Sequence, residues 1–194
     1  HVEDGTRAEL GIPEDAFVVH YSFDANSTVA RKNPNAALDA FHLAFGDDPS
    51  AVFVLKVRNF QQVESLARQG DSHSRGLLRR LKSHPAVVLV TGEWSYPRAL
   101  GLMAMTNCYI SLHRSEGYAY GIAEAMALGV PVVASDYSGN AVFNNHPGVS
   151  TVKIVPQGVN PGDYFFWSEN FFWAEPCVRQ AAELLVGIRE NQGT

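Results

Sequence analysis

The sequence predicts an α/β domain built on a doubly wound parallel sheet of about six strands, with helices on both faces. Two observations carry this. Short β-branched and apolar runs alternate with helix-compatible stretches along most of the 194 residues, the mark of strand–helix–strand units with right-handed crossovers. The runs are also apolar at successive positions rather than at every second one, as strands are when helices cover both faces of their sheet.

The strands are read at residues 17–22, 51–57, 86–90, 107–112 and 130–135, with a sixth at 150–155. Asn33-Pro34 opens a helix, because Asn caps well and Pro suits the first helical position. That helix runs through Ala36, Leu38 and Phe41 to about Phe45, before Gly46. Further helices are expected over 61–69, 75–83, 97–105, 119–128 and 176–190. Such sheets take ligands beyond the carboxyl ends of their strands. Here those ends fall near residues 23–32, 57–60, 91–95, 113–121 and 136–143.

One segment departs from the pattern. Pro156, Gly158, Pro161 and Gly162 mark a loop, and seven aromatics follow between Tyr164 and Trp173. Either these rings pin the loop to the domain, or they form a patch that a partner domain covers; aromatics suit both.

Composition narrows the function. The length fits one domain, residues 1–194, and the 46% hydrophobic and 18% charged content is that of a globular chain. A net charge of −5 without a basic block argues against nucleic-acid binding. The nearest basic cluster, residues 75–82, reads as the solvated face of an amphipathic helix. Cys108 and Cys177 form no paired motif and fit a reducing compartment. The seven histidines show no metal-ligand spacing, so neither a metal nor a cofactor is expected. No apolar run approaches the roughly 20 residues of a membrane span, and the polar opening residues are no signal peptide. A cytoplasmic location is the expectation, with contact to the cytoplasmic face of a membrane through a larger protein as its extension. The chain opens at His1 without methionine and is therefore expected to be a piece of a longer protein.

The chemistry concentrates between His113 and Pro131. A strand ends near Leu112, a short loop follows, and a helix runs to about Leu128 with Gly129 as its left-handed terminator. Glu124 is the only charged residue from 117 to 129. At about 100° per residue it lies opposite the stripe of Ile122, Ala125 and Met126, so it faces either solvent or a cleft. Glu116 stands just before the helix. A carboxylate there either complements the helix dipole, worth ~0.3–1 kcal/mol, or serves a ligand. The helix end is itself a ready anion site, and Gly117 and Gly121 would let a ligand approach the backbone.

Glu116-x7-Glu124 followed by Ala-Met-Ala-Leu-Gly-Val-Pro-Val-Val-Ala-Ser resembles the family-four retaining glycosyltransferases, which have the two-domain GT-B fold. Residues 7–19 resemble the opening of that family's Rossmann-like C-terminal domain, and residues 30–41 its first-loop lysine and following helix. Tyr137-Ser-Gly-Asn140 and Trp173-Ala-Glu-Pro176 resemble a subgroup of polysaccharide and O-antigen transferases. The resemblance spans nearly the whole chain but only the donor-binding half of such an enzyme, so it implies a missing N-terminal acceptor-binding domain.

By that resemblance Glu116 contacts the transferred sugar and Glu124 holds the ribose of a nucleoside diphosphate sugar donor. Lys32 neutralises the diphosphate. Gly117, Tyr118 and Ala119 form the loop at the phosphates, and Thr91, Gly92 and Trp94 lie where the base sits. Trp94 either stacks on that base or packs. Two departures stand out: the second glycine of the usual Glu-Gly-Phe-Gly is Ala119, and the family's loop arginine is replaced at Ser27, with Arg31 placed to supply its charge. His113 and Arg114 are either donor-site or loop residues. The implied reaction is retaining transfer of a hexose to a glycan, polysaccharide or lipid acceptor. Rival readings are a non-catalytic glycosyltransferase-like scaffold, a nucleotide-sugar epimerase of the same fold and, more remotely, a flavodoxin-like signalling domain.

Overall fold

The computed structural model describes residues 7–192. Six parallel strands form its centre: β1 (Phe17–Asp24), β2 (Ala51–Arg58), β3 (Val87–Thr91), β4 (Cys108–Ser111), β5 (Val132–Ser135) and β6 (Val149–Val152). Their order across the sheet is β3-β2-β1-β4-β5-β6. β1 and β2 pair over eight residues, from Phe17 opposite Ala51 to Asp24 opposite Arg58. The order reverses between β1 and β4, and a crevice opens where neighbouring loops diverge at such a reversal.

The continuous apolar runs have the expected cause. Val18 and Val19 are both fully buried yet belong to different apolar clusters. Val19, Phe53, Ile110 and Val132 pack with α2 (Pro34–Phe45) and α7 (Val178–Gln192). Val18, Val54 and Val90 pack with Leu102 of α5 (Tyr96–Ala104). Burial on both faces is what makes the alternation vanish.

The other helices are α1 (Val29–Lys32), α3 (Phe60–Gln69), α4 (Ser72–Ser83) and α6 (Tyr120–Ala127). α4 begins three residues before its expected start because the Asp71 side chain accepts from the Ser74 amide at 2.6 Å. Asn33 precedes α2 as anticipated, but its side chain makes no cap; its backbone turns left-handed instead, at φ 50° and ψ 47°. Among the described residues no helix is long and apolar enough to cross a membrane.

The expected sixth strand is two strands. Val149–Val152 continue the sheet. After Lys153 the chain leaves it as β7 (Ile154–Gly158), which pairs antiparallel with β8 (Phe172–Pro176). α7 accordingly starts at Val178, because Glu175 and Pro176 belong to β8. The aromatic segment fills the hairpin and answers to neither expectation whole. At the root Trp173 is 4% exposed and packs with Ala30, Val159 and Tyr164. At the tip Phe165 is 88% exposed, and Phe166, Trp167, Phe171 and Phe172 are exposed too.

Candidate functional site

The crevice between β1 and β4 is walled by the loops that leave those strands. After β1 the Asp24 side chain accepts from the Asn26 amide at 2.9 Å and starts a tight turn. Thr28 then caps α1, its hydroxyl accepting from the Arg31 amide at 3.3 Å. Thr28 and Asn33, both at positive φ, bracket the single turn that carries Arg31 and Lys32. Two left-handed residues fix where such a short helix points. The Tyr21 hydroxyl anchors it, donating to the Lys32 carbonyl at 2.7 Å.

The loop after β4 is laced to this turn. The Arg114 amide donates to the Arg31 carbonyl at 2.8 Å, and Arg31 Nη1 donates to the Ser115 carbonyl at 2.7 Å. Lys32 Nζ then pairs with Glu116 Oε1, and Arg31 Nη1 stands 3.6 Å from Glu116 Oε2. The Lys32 and Glu116 side chains are only 16% and 12% exposed. Burial pulls the Glu116 carboxyl upward, but the Lys32 ammonium and the Arg31 guanidinium outweigh it and hold the group below its ordinary range. Glu116 is therefore an ionised carboxylate at neutral pH.

A third loop sets the position of Glu116. Ser138, at φ 80°, bonds through its hydroxyl to both the amide and the carbonyl of Glu116. The Gly139 amide donates to the same carbonyl at 3.1 Å. A methyl on Gly139 would overlap the Gly117 carbonyl oxygen, so only glycine lets the two loops meet there.

α6 follows with no side-chain cap. Its N-cap, Ala119, sits at φ 64° and ψ 59°. Left-handed backbone costs an L-residue roughly 1–2 kcal/mol relative to the right-handed form; here it turns the chain sharply from the Glu116 loop into the helix. Tyr120 and Gly121, in the first turn, line the cleft, where uncapped amides favour an anion. Gly121 lies on the Tyr109 hydroxyl, and a methyl group there would collide with it. Ile122 and Ala125 are buried while Glu124 lines the cleft, one of the two outcomes that the helical spacing left open. The Tyr96 hydroxyl bonds to the Glu124 carboxylate, and this bond with the carboxylate's charge raises the tyrosine's pKa.

The result is a cleft of about 390 Å³, in the size range of small-molecule sites. It brings together Arg31, Lys32, Glu116, Gly117, Tyr118, Ala119 and Glu124. The cation pair and the helix end suit a polyanion, and the two carboxylates suit hydroxyl groups.

Four expected residues lie outside it. Thr91 and Gly92 are exposed at the end of β3 and do not line the cleft. Trp94 packs against the Val18–Leu102 cluster, with the Arg98 guanidinium 4.1 Å over its ring and Lys56 on it as well. His113 is fully buried behind the Glu116 loop. Its Nδ1 meets the Ser111 hydroxyl and its Nε2 meets Asn140 Oδ1, both at 2.8 Å. Asn140 donates from its amide nitrogen to the Ser135 carbonyl, so its oxygen accepts from His113 Nε2–H. Burial lowers the pKa of the imidazole and keeps it neutral. His113 braces the loop from behind and does not reach the cleft. Arg114 is also structural: it bonds to Glu175 and to the Ala30 carbonyl, each at 2.6 Å, and lies over the Trp173 ring.

The sequence reading missed Tyr21, Tyr109, Tyr96 and the bracing role of Ser138 and Gly139. Tyr21 and Tyr109 looked like ordinary strand residues. Tyr96 carried only a local signal, the Ser95 cap whose hydroxyl accepts from the Arg98 amide. Among the described residues no group of three His, Cys, Asp or Glu is placed to hold a metal.

Comparison with known proteins agrees with this architecture. HepE of Anabaena, solved with UDP-glucose, superposes with TM-score 0.60 at 21% identity, over 96% of this chain and 42% of its own. WaaG, a glycosyltransferase involved in lipopolysaccharide biosynthesis, gives 0.61 at 16%, over 96% and 41%. The trehalose-6-phosphate synthase of Burkholderia multivorans gives 0.61 at 14%, over 96% and 39%. The chain thus spans about two fifths of each of these structures. No curated protein sequence matches it. The sequence profile of the glycosyl transferases group 1 matches residues 4–157, well over half of the chain, so the chain belongs to that family and carries one Rossmann-like half of the GT-B fold.

Proposed function

We propose that this chain binds the nucleoside diphosphate of a sugar donor and forms the donor half of a retaining hexosyltransferase. The observation that carries the reading is the convergence of Lys32 and Arg31 on Glu116 beside the uncapped start of α6, with Glu124 farther along the same helix. In this reading the diphosphate lies between the two cations and the Tyr120–Gly121 amides. Glu124, held by Tyr96, takes the ribose hydroxyls. The base extends past them toward the loop of Thr91, Gly92 and Trp94. HepE was solved with UDP-glucose, which supports a nucleotide sugar as the class of ligand.

The chemistry follows from the charges. Transfer breaks the bond between the anomeric carbon and the diphosphate oxygen and forms one to an acceptor hydroxyl oxygen. The acceptor proton passes to a diphosphate oxygen. Lys32, Arg31 and the helix end stabilise the charge left on the diphosphate, so this scheme calls for no metal. Glu116 is engaged by two cations, which suits orienting sugar hydroxyls rather than attacking carbon. Most of a glycan or lipid acceptor would sit on an N-terminal domain, at the cytoplasm or at the cytoplasmic face of a membrane. Holding both substrates together is a large part of such catalysis, so the isolated chain is expected to bind donor and transfer little.

Isothermal titration with UDP, GDP and ADP tests the reading. Binding to at least one, abolished by Lys32→Ala, is the expected result. No binding to any at about 10 mM, with the fold intact by circular dichroism, would refute it. Ala119 favours a second reading, a non-catalytic module, because it replaces the second glycine of the family's Glu-Gly-Phe-Gly loop. Transfer by the full-length protein, lost on Glu116→Ala, excludes that alternative, and the anomeric coupling constant of the product tests retention.

A further inference from the structure

A second cavity lies on the other side of Arg31. Its volume is about 350 Å³, and it sits between the hairpin and the Glu116 loop. Tyr164, Phe171, Phe172 and Trp173 supply ring surface. Arg31, Ser115 and Asn170 supply polar groups at its rim. The Ser115 hydroxyl and the Asn170 amide make no hydrogen bond among the described residues. Trp173 is fixed by Arg114 and by the Ala30–Val159 packing, so the floor is rigid. Phe171 and Phe172 are exposed, so the walls are open to a ligand.

From this we propose that the cavity is a carbohydrate subsite and takes a pyranose ring of the acceptor. A pyranose has an apolar C–H face, which aromatic rings cover, and a hydroxyl edge, which Ser115, Asn170 and Arg31 can bond. A purely apolar ligand would leave those polar groups unpaired, at a cost. Location supplies the link to the acceptor: Arg31 lines both cavities, and Ser115 is the residue before Glu116. A ring seated here stands beside the donor cleft, where the second substrate of a transfer must be. The word acceptor rests on the donor reading above; the sugar site does not.

Saturation-transfer NMR on the 194-residue chain separates the two. The probes are the methyl glycosides of glucose, galactose and N-acetylglucosamine, octyl glucoside, and UDP. Ring C–H protons of at least one glycoside are expected to receive saturation, and to keep it when UDP is in excess. The signal falls at least about fivefold in Phe171→Ala/Phe172→Ala. It stays in Phe165→Ser, a change at the tip outside the cavity, and UDP binding is unchanged in both variants. No ring signal at about 10 mM, loss of the signal to UDP, or transfer to the octyl chain alone would overturn the proposal. A ring signal that survives while UDP fails to bind would uphold the sugar site and overturn the donor reading instead.

Discussion

The two sides of Arg31 are built on opposite plans. On the cleft side Lys32, Arg31 and Glu116 satisfy one another and the Ser115 carbonyl before any ligand arrives. On the hairpin side one ring, Trp173, is buried, and Phe165, Phe166, Phe171 and Phe172 are left to solvent. Unpaired charge in a half-buried place is too costly to leave open, so a charged site must hold itself together when empty. A polyanion entering it competes with an existing ion pair. Exposed aromatic surface costs far less and can wait for its ligand.

Four changes break or sharpen this contrast. The largest effect is expected at the root of the hairpin. Trp173→Ala should lower stability by about 3–5 kcal/mol by opening a cavity under Arg114, whereas Phe165→Ser at the tip should stay within about 0.5 kcal/mol. Urea denaturation of the two variants compares them directly, and equal losses would show that the hairpin is not anchored at Trp173.

Next comes the ion pair. Lys32→Ala leaves the Glu116 carboxylate with Arg31 alone and should cost about 2–3 kcal/mol. The double variant Lys32→Ala/Glu116→Gln should recover most of that loss without regaining affinity for UDP. Denaturation and calorimetry on the pair of variants separate the stabilising role of the pair from its ligand-binding role.

Acid should weaken the fold as a whole. Burial lowers the His20 pKa to about 4 from the ordinary 6.5, and His113 is shifted in the same direction. The unfolded chain binds these protons near pH 6.5 and the folded chain does not, so stability is full above that pH and falls below it. Between pH 7 and pH 5 His20 alone should account for about 2 kcal/mol. His20→Asn, which keeps a donor for the Val54 carbonyl, should flatten the denaturation midpoint across that range. A wild-type midpoint that does not move would contradict the buried neutral imidazoles.

The smallest expected effect is a gain. Ala119→Gly relieves the left-handed strain but adds freedom to the unfolded chain, for a net stabilisation of about 0.5–1 kcal/mol. UDP affinity should hold or rise. A lower melting temperature would mean that the Ala119 methyl packs usefully, and it does touch the main apolar cluster.

Much of this was legible in the sequence, residue by residue. Doubly buried strands announce themselves by losing alternation, and five of the six expected strands lie in the sheet close to their expected bounds. Glu124 could be placed on the open side of its helix because helical geometry is local. The hairpin could not be read, because β7 is defined by its antiparallel partner β8 some fifteen residues on, and Val155 looks the same in either sheet. Trp94 reads in the sequence as a base platform or a packing residue, and the sequence does not show that Arg98 lies over its ring, a contact set by the packing of α5.

The sequence by itself determined the parallel α/β sheet and the helix that carries Glu124, while Arg31 and Lys32 were singled out through the family resemblance. The sheet and the helix follow from periodicity and local chemistry within a few residues. Tertiary structure alone decided which groups meet: Lys32 with Glu116 across 84 positions, Tyr96 with Glu124, His113 sealed behind the loop, and Gly139 pressed on Gly117. Each depends on how loops from separate strands converge at the reversal between β1 and β4. That convergence is a property of the sheet as a whole, and no short window of sequence contains it.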